Sequence, residues 1–241
     1  LRLRGVYSPE RYQIGTIPPQ INQLLLEEFS GDQLVLSGFF KVDEISQKLR
    51  GWPALRMGRI LIPTIQKETI CACKTRENPF DPDAQREGVK YSVPRGSKPG
   101  HFLWWRDTGP DMVFTEGELK GAAGCDHGIP TACSGGMMSL NHTLPQLKSL
   151  IEENGVKRVF VVLDTEKDEE KNVITKEISK RIVLRLGAKI SCSVSLPKYK
   201  ENEKVDFDLF LVEQGEGSFW DIAEDAWAKS RKEVNDGNQK G

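Results

Sequence analysis

The sequence has few of the residues that build disulfide or zinc frameworks. Its five cysteines stand at positions 71, 73, 125, 133 and 192, and only Cys71 and Cys73 are close together. An odd count without CxxC pairs argues against a disulfide framework and against a zinc ribbon, and it is typical of proteins from a reducing cytoplasm. We therefore expect Cys71 and Cys73 to be packed strand residues.

Long apolar runs are also missing. The longest, Val159–Leu163, is far shorter than the ~20 residues that a membrane-spanning helix needs. The first residues alternate arginine with leucine and lack the pattern of a secretory signal. These absences predict a cytoplasmic protein with no membrane partner. The 241 residues are enough for one large domain or two smaller ones.

The net charge of −1 hides an uneven distribution of charge along the chain. Residues 1–108 contain 16 Lys and Arg against 12 Asp and Glu, whereas residues 109–241 contain 18 against 23. Within 48–106 the count is 12 basic against 5 acidic residues. A basic half beside an acidic half suits a protein that binds a phosphate backbone and also holds a divalent cation.

The hydrophobic pattern changes at Gly109-Pro110-Asp111, which predicts a domain boundary. Residues 1–108 form the predicted basic N-terminal subdomain, with a hairpin of strands over Arg59–Ile65 and Glu68–Thr75. Residues 109–215 alternate strands with helices, which predicts an α/β domain with a mostly parallel, Rossmann-like sheet. Its later helices are predicted over Val173–Leu186 and, as a short helix, over Phe207–Val212. Residues 216–241 are predicted to be a C-terminal helix over Ser218–Lys232 and a polar tail.

Three carboxylates follow the strands of the predicted parallel sheet. Glu116 comes directly after the strand Met112–Thr115, and Asp164 and Glu166 follow the buried strand Lys157–Leu163. Ligands of open α/β sheets bind outside the carboxyl ends of the strands, so we expect these side chains to meet there. Clustered carboxylate oxygens favour Mg²⁺ or Mn²⁺. Taken singly, a carboxylate at a strand end is usually a helix cap or a solvated charge, and the combination of the three is much more specific.

These segments resemble a known family. Val113-Phe114-Thr115-Glu116-Gly117-Glu118 resembles the first motif of the Toprim domain, and Val161-Val162-Leu163-Asp164-Thr165-Glu166 resembles its second motif, normally Asp-x-Asp. Lys204-Val205-Asp206-Phe207-Asp208 resembles the later acidic segment of Toprim primases from phages and plasmids. Glu166 in place of the second Asp and the absence of the Ala-Gly that commonly follows are departures from this pattern.

The resemblance extends into the basic N-terminal half. Gly58-Arg59-Ile60-Leu61-Ile62-Pro63 and Lys90-Tyr91-Ser92-Val93-Pro94 are similar to segments of bacterial-type primase cores, in which this α+β subdomain precedes the Toprim domain. The resemblance implies that basic residues here contact nucleic acid and nucleotide. The candidates are Arg59, Arg76, Lys90, Arg95 and Lys98.

The resemblance also implies an activity, a cofactor and partners. It implies nucleotidyl transfer that makes short primers on a single-stranded DNA template from nucleoside triphosphates, beside a replicative helicase. Asp164, Glu166 and one of Asp206 and Asp208 would hold Mg²⁺ or Mn²⁺, and Glu116 would assist proton transfer or ligate a second metal. Lys120 is as compatible with a phosphate contact as with an exposed helix lysine. Two alternatives stay open, namely a metal-dependent Toprim nuclease and a non-catalytic nucleic-acid-binding module.

Overall fold

The chain forms two compact units. The computed structural model describes residues 1–52, 55, 57–66, 69–78, 91–94, 101–103, 109–136, 140–198 and 203–238. One unit comprises Pro9–Pro99, and the other comprises Leu1–Ser8 together with Gly100–Gly241. The sequence placed the division after residue 108. Two features of the second unit account for the difference, because both its edge strand at 101–103 and the first eight residues pack within it.

The unit at Pro9–Pro99 contains a four-stranded antiparallel sheet and a separate two-stranded ribbon. The predicted hairpin is its centre, where the register pairs Ile60 with Arg76 and Pro63 with Cys73. Cys73 is buried, as expected for a packed strand cysteine. The elements are a short 3-10 helix Pro9–Tyr12, β1 Gly15–Thr16, α1 Ile21–Glu28, α2 Gly31–Leu36, β2 Phe40–Val42, β3 Leu49–Gly51, β4 Ile60–Gln66, β5 Thr69–Arg76 and β6 Tyr91–Ser92.

The second unit is built on a five-stranded sheet. Its strands lie in the order β11-β10-β8-β9-β7, the first four are parallel, and β7 is antiparallel at the edge. The predicted mixed α/β fold with a mostly parallel sheet is therefore confirmed. The elements are a 3-10 helix Arg2–Arg4, β7 His101–Leu103, β8 Asp111–Glu116, α3 Glu118–Asp126, β9 Thr131–Ser134, α4 Leu140–Glu153, β10 Arg158–Val162, α5 Glu169–Leu186, β11 Ser191–Val194 and α6 Phe207–Asn238.

Helices cover both faces of this sheet. Alternate strand residues point in opposite directions, so each central strand packs against helices on both faces. Met112 and Phe114 of β8 pack with α4 and α5, in a cluster with Leu147 and Ile182. On the opposite face Val113, Phe160 and Val162 belong to a second cluster with α6. The central strands are apolar on both sides, as in other buried parallel sheets.

Two helices differ from the sequence prediction. The helix predicted from Val173 begins at Glu169, because Asp168 caps it by accepting a hydrogen bond from the Lys171 N–H at 3.1 Å. The two C-terminal helices predicted from Phe207 and from Ser218 are consecutive parts of α6, kinked at Gly215 with φ 79°. Within the described residues, no helix combines the length and the apolar character that crossing a membrane requires.

The first eight residues are anchored to the second unit by specific contacts. The N–H groups of Tyr7 and Ser8 donate to Asp126 Oδ2 at 2.6 and 2.9 Å, and Val6 is completely buried. Gly5 has φ 71°, and a Cβ there would lie 3.1 Å from a methyl group of Val212. A larger residue at Gly5 would therefore meet both backbone strain and a steric contact. This anchored segment directs Arg4 towards the carboxyl edge of the sheet.

Candidate active site

The strand order places the candidate site at the point where the chain reverses direction across the sheet. From β8 the chain moves to β9 on one side, and it later returns to β10 on the other side. Ligands of open α/β sheets bind at such a switch point, at the carboxyl ends of the strands. The register pairs Val162 of β10 with Thr115 of β8, so Glu116 and Asp164 follow the ends of neighbouring strands. The two residues therefore lie at the same edge of the sheet.

The turn after Glu116 depends on Gly117. This residue has φ 88° and stands immediately before α3, and no atom lies within 4 Å of the position that a Cβ would occupy. Its positive φ, and not lack of space, therefore favours glycine. Glu116 is half-buried and pairs with Ser134 of β9. The turn sends α3 back along the sheet, with Lys120 in its first turn.

A short antiparallel bridge brings a third chain segment to the site. Thr165 and Val205 exchange backbone hydrogen bonds of 3.0 and 2.9 Å. In such a pairing the flanking residues lie opposite one another, Asp164 with Asp206 and Glu166 with Lys204. Because side chains alternate along extended chains, all four project to the same side. Asp164, Glu166 and Asp206 are called the acidic cluster below.

The ammonium group of Lys204 lies at the centre of the acidic cluster. Its Nζ is 3.1 Å from Asp164 Oδ2, 3.3 Å from Glu166 Oε1 and 3.4 Å from Asp206 Oδ1. Lys120 approaches from α3, with its Nζ 2.5 Å from Asp164 Oδ1 and 3.7 Å from Asp206 Oδ1. Lys120 is therefore a largely buried member of the site, with its side chain 11% exposed, and not an exposed helix lysine. Sequence reasoning missed Lys204.

Asp208 is bound by Arg4, which also contacts one member of the acidic cluster. It is fully buried and forms two hydrogen bonds with Arg4, from Nε and from Nη2, the second at 3.0 Å. Arg4 Nη1 also donates to Asp206 Oδ2 at 3.1 Å. The two aspartates that the sequence left as alternatives thus differ in position, since Asp206 faces both lysines and Asp208 is bound by the guanidinium group.

Burial and proximity shift the pKa values of these carboxyl groups. Burial raises the pKa of Asp164, against the opposing charge of Lys120. For Asp206, burial is outweighed by a hydrogen bond with Asp164 and by the charges of Lys120 and Lys204, which lower its pKa to about 2. Burial also raises the pKa of Asp208, although Arg4 opposes this shift. Two carboxyl groups this close share one proton more easily than they carry two charges.

These oxygens have the chemistry of a magnesium or manganese site. Among the described residues, no group of three or more His, Cys, Asp or Glu side chains is spaced to hold a metal ion as it stands. The reason is visible at Lys204, whose ammonium is the cation that the three carboxylates surround. Their oxygens lie 3.1–3.4 Å from that nitrogen. Each oxygen would have to move about 1 Å closer to the central cation to reach the 2.0–2.1 Å distance that Mg²⁺ requires.

Two further observations agree with a cation at this position. Asp206 Oδ1 is buried and accepts no hydrogen bond, although both lysines approach it. The Lys204 side chain is 43% exposed, so it can leave towards solvent without opening the core. The donor set therefore fits a hard divalent cation in exchange for the lysine ammonium.

The basic residues predicted to bind nucleic acid lie in the other unit. Arg59 is buried and donates from Nε to Thr75 Oγ1 at 3.1 Å, so its side chain supports the β4–β5 hairpin. Arg76 lies over the ring of Tyr91, 5.5 Å from its centroid, and Lys74 lies over the same ring at 4.6 Å. Lys90, Arg95 and Lys98 are outside the described residues.

Comparisons of the chain with models of known protein families, with curated proteins and with solved structures found no match in any of the three.

Proposed function

We propose that the second unit binds Mg²⁺ or Mn²⁺ at the acidic cluster and carries out metal-dependent phosphodiester chemistry on nucleic acid. The observation that carries this proposal is the arrangement of Asp164, Glu166 and Asp206 around one cationic group at the switch point of a parallel sheet. Hard oxygen ligands at such an edge suit a cation that also binds phosphates. When bound, such a cation neutralises charge that develops on a phosphoryl group during transfer.

The protein's own side chains have distinct tasks in this proposal. Asp164, Glu166 and Asp206 supply the ligand oxygens, and Arg4 holds Asp208 and the outer oxygen of Asp206 in place. Lys120 lies beside Asp164 and would contact the same phosphates once they enter. Lys204 would turn from the carboxylates to a phosphate or to solvent. Glu116, at the end of the neighbouring strand, would accept the proton of the attacking hydroxyl.

Within this class, we propose primer synthesis as the particular activity. It is supported by the Toprim-like motifs at Glu116, Asp164 and Asp206 and by the basic N-terminal segment, which resembles a primase core. The substrates would be single-stranded DNA and nucleoside triphosphates, and a replicative helicase would be the partner. Arg76 and Lys74 lie beside Tyr91, and the aromatic ring of Tyr91 is a surface on which a base can stack.

One observation favours a second candidate, a nucleic-acid-binding module without catalysis. Lys120, Lys204 and Arg4 already neutralise most of the negative charge of the four aspartate and glutamate side chains around them. If Lys204 stayed within the acidic cluster in place of a divalent cation, the site would bind phosphates only through Lys120 and Lys204. The two candidates therefore differ in whether binding and turnover need a divalent cation.

The test is incubation of the full chain with single-stranded DNA, labelled nucleoside triphosphates and either Mn²⁺ or excess chelator. We expect short labelled oligomers that require the cation. Cation-dependent shortening of the DNA would assign the nuclease alternative, with the same metal chemistry. DNA binding that is equal with cation and with chelator, without turnover, would assign the non-catalytic module and reject metal-dependent chemistry.

A further inference from the structure

The face of β11 that points to α5 is polar, which is unusual for a strand covered by a helix. Cys192, Val194 and Leu196 pack into the apolar cluster on the opposite face. The alternate residues Ser191, Ser193 and Ser195 therefore face α5. Ser191 Oγ donates to carbonyl groups at the end of α5, and Ser193 Oγ lies 2.6 Å from Ser179 Oγ of the same helix.

The first three turns of α5 also carry polar residues, and these lie opposite the serines. Asn172, Thr175 and Ser179 recur at spacings that place them on one side of the helix. Asn172 and Ser179 are only 5% and 3% exposed. The apolar positions that pack in the core begin at Ile178, beside Ser179, and continue at Ile182. Thr175 and Ser193 are partly exposed and Ser195 is exposed, so polar side chains of both walls are accessible to a polar occupant.

A cavity of about 220 Å³ lies between these two polar walls. It is bordered by Thr175, Ser193 and Ser195, and it reaches Asp164 and Thr165 at the carboxyl end of β10. The side chains of Lys176 and Lys198 also line it. Asn172 links the cavity to the candidate active site, because its Oδ1 accepts a hydrogen bond from the Glu166 N–H at 2.5 Å.

The size and the chemistry of the cavity limit what it can hold. Pockets that enclose a whole small-molecule ligand are roughly 300–1,000 Å³, so this cavity suits only part of a nucleotide. Hydroxyl and amide side chains pair with the hydroxyl groups of a sugar, and lysines pair with a phosphate. Asp164, where the nucleotide phosphates would lie in the proposed function, borders the same space.

We propose that the cavity between α5 and β11 is the sugar-binding subsite of the nucleotide whose phosphates lie at the acidic cluster, and that it favours ribonucleotides. This inference rests on the proposed function. A 2′-hydroxyl that gains one hydrogen bond in the cavity should strengthen binding about fivefold relative to the deoxyribonucleotide. A base need not enter, so the subsite accepts different bases.

The experiment measures the affinities of ATP, dATP and inorganic tripolyphosphate for the full chain in the presence of Mn²⁺ by calorimetry. The variant Thr175→Trp fills the cavity without changing a carboxylate. The control Val173→Trp adds the same ring to α5 at a position that is 55% exposed. We expect the wild type and the control to bind ATP more tightly than dATP, and dATP at least as tightly as tripolyphosphate. In Thr175→Trp, ATP should weaken to the level of tripolyphosphate, whose own affinity should not change.

The outcomes separate this inference from the proposed function. Equal affinity for ATP and tripolyphosphate in the wild type, or ATP binding unaffected by Thr175→Trp, would overturn the subsite while the acidic cluster kept its assignment. Failure of the wild type to bind any of the three compounds with Mn²⁺ would overturn the proposed function. If Thr175→Trp loses its circular dichroism signal, Ser195→Phe fills the cavity from the exposed position that follows β11, and the same affinities decide.

Discussion

Replacing Asp164 by Asn is expected to abolish turnover while the protein keeps its fold. Asp164 contacts Lys120 and Lys204 and stands beside Asp206, and its side chain is the least exposed of the acidic cluster. Asn has the same shape and keeps an oxygen that can accept a hydrogen bond from Lys120, but it removes the negative ligand. Groups that only orient a metal ligand cost about 10–100-fold when they are mutated, so loss of a direct ligand should cost at least about 100-fold.

The measurements for Asp164→Asn are oligomer formation with Mn²⁺, Mn²⁺ affinity by calorimetry and the circular dichroism spectrum. The matched control is Glu170→Gln, which removes one carboxylate from an exposed position at the start of α5. We expect the control to keep wild-type activity and Mn²⁺ affinity. Wild-type turnover or Mn²⁺ affinity in a folded Asp164→Asn protein would reject Asp164 as a metal ligand.

Replacing Arg4 by Met is expected to lower the free energy of unfolding by about 3 kcal/mol, as when one partner of a buried ion pair is removed. Asp208 is fully buried, whereas the Arg4 side chain is 28% exposed, which places the effect at the lower end of the usual range. Chemical denaturation followed by tryptophan fluorescence measures it, because Trp220 and Trp227 pack against Phe160 in the same unit.

A second substitution distinguishes loss of the ion pair from general damage to the N-terminal segment. The double variant Arg4→Met, Asp208→Asn removes the buried charge that the single variant leaves without its guanidinium partner. We expect it to recover at least half of the lost stability. Arg2→Met, at an exposed position two residues away, serves as the control. If the control destabilises the protein as much as Arg4→Met does, the ion pair with Asp208 is not the cause.

The sequence predicted the sheet and three of its carboxylates because these depend on local patterns. Continuous apolar strands such as Val159–Leu163 followed by Asp164 identify a buried parallel strand and its carboxyl end. The position of Glu116 relative to Asp164 then follows from the rule that parallel strands end at one edge. The direction in which Asp206 points could not be predicted in this way. It depends on the bridge between Thr165 and Val205, which joins two separate segments of the chain.

The residues that were missed depend on contacts between distant segments. Arg4 lies 204 residues before Asp208, and no periodicity connects them. One feature of the sequence does indicate the position of Lys204. This lysine precedes Asp206 by two positions, as Asp164 precedes Glu166, and two extended segments with this alternation place all four charges on one side when they pair. The alternating serines at 191, 193 and 195 already indicate a polar face in the sequence. Only the structure shows that polar residues of α5 lie opposite this face.

The position of bound Mn²⁺ tests the central claim most directly. A crystal structure of the chain with Mn²⁺ and a nucleoside triphosphate locates the ion by its anomalous scattering. We predict an ion bound by oxygens of Asp164, Glu166 and Asp206, with the Lys204 ammonium displaced and Arg4 still bound to Asp208. Lys204 remaining among the three carboxylates, with no Mn²⁺ at this edge of the sheet under saturating conditions, would contradict the claim.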